Sequence, residues 1–149
     1  MGEGKTKSAS ATAGDRVRYM LDTNICIYLM RHQPPEVAAR FAVLRQGDVV
    51  VSAITLAELR YGIACQPETR TRNERALRAL LQDIPALPFD GEAAASYGPL
   101  RAAVRDRKRD ALDKLIAAHA VSRGLVLVTN NEADFKDFPG LIIENWTRV

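Results

Sequence analysis

The sequence predicts an α/β domain whose parallel sheet carries helices on both faces. Two observations lead there. Short apolar runs recur at Arg18–Leu21, Val49–Val51, Leu125–Val128 and Leu141–Ile143, and longer stretches with helical periodicity separate them. Helical crossovers of that length join parallel strands, whereas antiparallel neighbours need only tight turns.

Each element follows from local chemistry. Arg18–Leu21 reads as the first strand and ends at Asp22. Thr23–Arg31 reads as a helix, broken by His32-Gln33-Pro34-Pro35 because proline lacks the amide proton a helix needs. Glu36–Gln46 is a second helix, with Val37, Phe41 and Leu44 on one face and Gly47 placed to stop it. The apolar Val49–Val51 is a strand, and the residues from Ser52 to Thr55 start a helix that runs to Cys65. An arginine-rich helix spans Thr69–Gln82. Ile84–Phe89 contains two prolines and reads as a poor, edge-type strand. Gly91–Asp106 is helical, with Gly98-Pro99 expected to kink or divide it. Ala111–Arg123 is a helix with Gly124 just beyond, and Leu125–Val128 is a buried-type strand. Asn130–Phe138 is a loop or short helix, and Leu141–Ile143 is the last strand. Residues 1–17 are small and polar without periodicity and read as a disordered leader or extension, which leaves residues 18–149 as one domain.

Composition narrows the function. At 149 residues the chain has room for one sizeable core, and 47% hydrophobic with 26% charged residues is ordinary for a soluble globular protein. No apolar run approaches the roughly 20 residues that span a bilayer. Lys5 and Lys7 are not followed by an apolar stretch, so no secretory signal is expected and a cytoplasmic location follows. Cys26 and Cys65 lack metal-type spacing and read as buried free thiols. The histidines are His32 and His119, and no HExxH, Gly-rich phosphate loop or GxSxG elbow is present. The formal charge of +3 is compatible with a polyanionic substrate.

The acids are the informative residues. Asp22 closes the first strand, at the edge where open α/β sheets place their sites. Glu58 lies in a helix that is apolar on most sides, so the helix is expected to be mostly buried with Tyr61 in the core. A buried carboxylate there needs a cation, a metal or a proton, and an arginine such as Arg60 would serve equally. Asp113 flanks an inward stripe of Leu112, Leu115, Ile116, His119 and Ala120, and Asp110 is the plausible N-cap of that helix. As a first-turn acid, Asp113 also suits the helix dipole. The loop Thr129–Asp134 leaves its strand at the same edge as Asp22, so Asn131 or Asp134 could add an oxygen or simply cap the loop. His119 reads as a packed core residue. Without histidine or cysteine donors, a metal here would be held by oxygen, the donor set of Mg²⁺ or Mn²⁺. If the acids converge, metal-dependent phosphodiester hydrolysis is the chemistry they suit.

Six pieces, in order and spacing, resemble the PIN-domain ribonucleases, and within them the VapC-type toxins of bacterial toxin–antitoxin pairs. They are MLDTNICIYL (20–29), VVVSAITLAELRYGI (49–63), PFD (88–90), DKLIAAHAVSRGLVLVTNN (113–131), DF (134–135) and PGLIIENW (139–146). The resemblance implies an α/β/α sandwich around a central parallel sheet and Mg²⁺- or Mn²⁺-dependent endonucleolytic cleavage of RNA. It implies Asp22, Glu58 and Asp113 as the catalytic, metal-holding acids, with Thr23 and Asn24 as polar neighbours of the first. It also implies a small VapB-like antitoxin that inserts a segment near the acidic pocket, and toxin homodimers within a toxin–antitoxin hetero-oligomer. Helices 36–46 and 54–65 are the candidate surfaces for that segment.

The chain departs from the family pattern twice. Asn131 stands where many relatives carry Asp, while Asp134 matches an acid that precedes Phe in others. A Gly-rich turn before the third acid is replaced by Arg107-Lys108-Arg109-Asp110-Ala111-Leu112. Its three basic residues read as RNA or acidic-tail contacts, or as a solvated loop, and Asp110 as an extra acid at the rim. Arg101, Arg105, Lys108 and Arg109 are the candidates for steering RNA. Asn131 in place of an acid keeps an alternative open, an inhibitory RNA-binding module with little or no catalysis.

Overall fold

The computed structural model describes residues 17–148. The leader read over residues 1–17 lies outside them except for Val17, which packs partly buried against the core. Strands β1 (Tyr19–Leu21), β2 (Val49–Ser52), β3 (Ala86–Leu87), β4 (Val126–Val128) and β5 (Ile142–Glu144) form one sheet in the order β3-β2-β1-β4-β5. Every pairing is parallel, and β1 is bonded on both sides, Tyr19 opposite Val49 and Val126. The chain adds β2 and β3 on one side of β1, then crosses to add β4 and β5 on the other. The reversal opens a crevice at the carboxyl ends of β1 and β4, the switch point at which such sheets bind ligands.

Helices α1 (Thr23–Arg31), α2 (Pro35–Ala42), α3 (Ala53–Ala64), α4 (Arg70–Asp83), α5 (Gly91–Ala103), α6 (Ala111–Arg123) and α7 (Glu132–Phe135) supply the crossovers. Side chains alternate across the strands, so the sheet feeds two cores. Tyr19, Leu21, Val49, Val51 and Val128 pack with Ile25, Leu59 and Leu77 from α1, α3 and α4. Met20, Val50 and Leu127 point the other way and meet Leu100, Ile116 and Phe135 from α5, α6 and α7. The result is the expected α/β/α sandwich. No helix among the described residues is long and apolar enough to cross a membrane.

Several elements differ from their sequence reading for local reasons. Helix α2 stops at Ala42, well before Gln46, because Asp48 organises the following turn: its Oδ2 accepts the Arg45 N–H at 2.9 Å. Gly47 then sits at φ 98°, a conformation that suits glycine, in the turn into β2 rather than at the helix end. Helix α5 is not divided at Pro99, since Ala95, Gly98 and Pro99 are all exposed and the carbonyl deprived of a partner faces water. It ends at Ala103, three residues before Asp106. Strand β3 is reduced to two residues at an edge, flanked by Pro85 and Pro88.

Burial also corrects the sequence reading on α3 and α6. Only Thr55, Leu59 and Ile63 of α3 are buried, and Tyr61 is 72% exposed rather than in the core. Cys65 is exposed too, while Cys26 is buried. On α6, Leu112 is 43% exposed and not part of the inward stripe, which runs through Ile116, Ala117, His119 and Ala120.

Trp146 closes the α1–α4 core beside β5. It is 1% exposed, meets Tyr19 edge-on at 5.4 Å, and donates its Nε1–H to Glu144 Oε1 at 3.1 Å. Replacing a buried tryptophan by alanine costs about 3–5 kcal/mol. Urea denaturation of Trp146→Ala followed by circular dichroism is expected to show a loss of that size, and a loss below about 1 kcal/mol would contradict this packing.

Candidate metal centre

Three crossovers bring acids to the switch point. Asp22 follows β1 and is 4% exposed. Its Oδ1 accepts the Ile25 N–H at 3.0 Å, so the residue N-caps α1, and its own N–H donates to the Val128 carbonyl at 3.0 Å across the β1–β4 seam. The Thr129 hydroxyl, at the end of β4, accepts the Asn131 N–H at 2.9 Å and helps to lower the Asp22 carboxyl. Glu58, on the second turn of α3, is half-buried and accepts a hydrogen bond from Thr23 Oγ1. Ser52 sets the start of that helix: its Oγ accepts the Ile54 N–H at 3.0 Å and pairs with His119 Nδ1 at 2.8 Å. His119 is fully buried, edge-on to Phe89 at 5.4 Å, and ties α3 to the middle of α6 as a core residue.

Asp113, half-buried in the first turn of α6, faces the same space. Carboxylate oxygens of Asp110, Asp113 and Asp134 lie within 4.8 Å of one another. Asp134 thus joins the group from α7, while Asn131 stands exposed at the N-cap position of that helix without a side-chain cap bond. Asn24 is half-buried beside Asp22, and its backbone N–H favours the ionised form of that carboxylate. Asp110 occupies the N-cap position of α6 but does not cap it; its Oδ2 accepts from Arg107 Nη2 at 2.6 Å.

The electrostatics follow from this crowding. Burial, opposed by bonds from Thr129 and Ile25 and reinforced by the Glu58 charge, pushes the Asp22 carboxyl up to about 6. Burial, then the charges of Asp110, Glu58, Asp22 and Asp134, pushes Asp113 up to about 6 as well. Neighbouring negative charge thus adds to burial at both Asp22 and Asp113. An all-carboxylate donor set with this excess of negative charge fits a hard divalent cation.

The basic candidates lie on the outside. Arg101, Arg105, Lys108 and Arg109 are exposed, with Arg101 donating to the Tyr97 hydroxyl at 3.0 Å. Arg107 is not available in the same way: it holds Asp110, and its guanidinium lies 4.8 Å from the centre of the Phe138 ring. Thr129 had no assigned part in the sequence reading. The available signal was its place directly after a buried parallel strand.

These features define a class, an α/β/α sandwich with an oxygen-only acidic centre at the switch point of a parallel sheet. A family model described as PIN domain matches residues 19–141. The chain belongs to the PIN-domain family and is of the VapC type within it. It is 39% identical over 133 residues to the tRNA(fMet)-specific endonuclease VapC of Shigella flexneri, covering 88% of this chain and 99% of that protein. The crystal structure of VapBC2 from Rickettsia felis bound to a DNA fragment from their promoter is similar at TM-score 0.80 and 34% identity, covering 87% of this chain and 99% of the matched one. The crystal structure of DNA-bound VapBC from Salmonella typhimurium is similar at TM-score 0.80 and 36% identity, covering 87% and 98%.

The raised carboxyls make the metal-free protein pH-sensitive in a defined direction. Unfolded Asp ionises near pH 4, whereas Asp22 and Asp113 in the fold ionise near 6. The folded state therefore binds more protons between those values, and stability falls as pH rises through that window. For the buried Asp22 the loss is about 3 kcal/mol. Asp22→Asn keeps an N-cap acceptor for Ile25 but carries no charge. In EDTA it is expected to melt above wild type at pH 7.5, with the gap closing by pH 4.5; a gap independent of pH would refute the assignment.

Proposed function

We propose that this chain is a divalent-metal-dependent endoribonuclease and the toxin of a toxin–antitoxin pair, working in the cytoplasm. One observation carries the reading: Asp113 lies with Asp110 and Asp134 within 4.8 Å, and the buried Asp22 and half-buried Glu58 are near enough for their charges to raise its carboxyl. The similarity to proteins named as VapC endonucleases supports it. Asp22 and Asp113 would hold Mg²⁺ or Mn²⁺, with Glu58 and Asp134 beside them. When bound, such a cation polarises a phosphoryl oxygen and makes hydroxide accessible near neutral pH.

The chain's own groups prepare that centre. The Ile25 N–H on its carboxylate and the Val128 carbonyl on its amide hold Asp22 from two sides, and Thr23 orients Glu58. The exposed Arg101, Arg105, Lys108 and Arg109 supply the phosphate-directed charge that draws RNA to the acids. Without such charge, the acidic centre would repel a polyanion.

A VapB-like antitoxin is the partner in this reading, and VapBC complexes are the named content of the similar structures. A cleft of about 190 Å³ between α1, α3 and α4 is lined by Ile27, Met30, Leu59 and Ile63 and also by Glu58. The exposed Ala57, Tyr61 and Ala64 form an apolar row on α3. An amphipathic antitoxin segment would lie on this surface and reach the acids through Glu58. Pairing of two such toxins completes the assembly.

The test is cleavage of purified RNA with Mg²⁺ or Mn²⁺, beginning with initiator tRNA because of the named specificity of the relatives. Cleavage is expected to fall by about 10²-fold or more in Asp22→Ala and in Asp113→Ala, with folding retained. Undiminished cleavage in both variants would reject the assignment. Metal-independent RNA binding without cleavage by the wild type would favour the inhibitory binding module instead.

A further inference from the structure

Asp110 is the acid of this centre that stands in a left-handed backbone at a helix start without capping the helix. It stands at φ 67°, ψ 40°, the left-handed conformation that glycine adopts without penalty. Asp tolerates that region best when its side chain bonds locally, and at an N-cap position the local bond would go to the helix amides. It does not: the side chain makes no cap bond, its Oδ2 pairs with Arg107 three residues back, and it offers an oxygen within 4.8 Å of Asp113 and Asp134. We propose that Asp110 is an additional oxygen donor to the divalent cation of this centre, positioned by Arg107. The inference rests on the reading of the centre as a divalent-metal site.

Geometry carries it. Asp110, Asp113 and Asp134 each offer an oxygen within 4.8 Å of the others. At bond lengths near 2.1 Å, oxygens on opposite sides of one Mg²⁺ stand about 4.2 Å apart and adjacent ones about 3 Å, so the three side chains draw together by up to about 2 Å on binding. Arg107 uses Oδ2 of Asp110 at 2.6 Å, which leaves Oδ1 for another partner.

The support behind Asp110 is built rather than loose. Arg107 lies over the Phe138 ring at 4.8 Å, and its carbonyl accepts the buried Lys114 Nζ at 2.5 Å. The turn before α6 is therefore pinned to α6, the helix of Asp113, and to Phe138, just past α7, the helix of Asp134. Asn131, three residues before Asp134, brings no charge and its side chain is exposed, so Asp110 is an acid the centre has beyond that segment.

Mn²⁺ titration of the metal-stripped full chain by isothermal calorimetry tests this. About 0.5 M KCl screens charges more than roughly 5 Å from the ion. Asp110→Asn is expected to weaken Mn²⁺ binding about tenfold or more, and Asp110→Gly, which fits the same backbone, to do the same. Asp106→Asn, an exposed acid at the end of the preceding segment, is expected to bind like wild type. Normal Mn²⁺ binding in both Asp110 variants overturns the inference, as does an equal loss in Asp106→Asn. Asp22→Asn separates the two levels. If it binds Mn²⁺ poorly while the Asp110 variants bind normally, only the role of Asp110 fails. If it too binds like wild type, the metal-centre reading fails with it.

Discussion

The structure depends on the double pairing of β1. Three buried residues, Tyr19, Met20 and Leu21, are hydrogen-bonded in parallel to β2 on one side and β4 on the other. A central strand of this kind admits no slip, because moving it by one residue would send Met20 into the wrong core. Its length decides where the chain emerges, and the first residue past the pairing is Asp22. The Asp22 N–H to the Val128 carbonyl then locks the exit of β1 to the exit of β4. Glu58 and Asp134 reach the same space because their helices leave β2 and β4, the two neighbours of β1, while Asp113 opens the helix that leads into β4.

That placement has an electrostatic cost. Five carboxylates influence one another here, and the nearby cations do little to neutralise them. Lys114 is buried but spends its ammonium on the Arg107 carbonyl, and Arg107 is committed to Asp110. Both bases hold the loop in place rather than cancel the charge of Asp22 or Asp113. Hydrogen bonds from Thr129, Thr23 and the Ile25 amide soften the burden without removing it. A fold that retains such a centre gives up stability for a function that needs the uncompensated charge.

The order of strands and helices was legible because compact apolar runs such as Val49–Val51 sit between punctuation that has only local causes. The strand-end aspartate and the acids of α3 and α6 were legible for the same reason. Burial on α3 was not. Its residues are apolar on nearly every side, the pattern of a buried helix, yet the sheet takes only the Thr55, Leu59 and Ile63 face and leaves Tyr61 outside. The choice between Asn131 and Asp134 depended on which way the single turn of α7 points, which no periodicity encodes. Asp110 is a similar case. Its letter marks a good N-cap, and only a left-handed backbone with an arginine on its carboxylate turns it elsewhere. Arg107, read among the basic contacts, proved to be a strut for the same tertiary reason.

The alternation of side chains across the sheet has a consequence for divergence. The α1–α4 core and the α5–α7 core lie on opposite faces of the sheet and are bridged at one end, where Ser52 pairs with His119 and Ile54 packs on the second core. Substitutions in different cores share few neighbours, so their effects on stability add independently. The cleft between α1, α3 and α4 can therefore change its lining while the packing behind α6 stays as it is. Descendants of such a chain are free to exchange binding surfaces without re-solving the support of Asp113, and lineages can acquire mutually exclusive partners one substitution at a time.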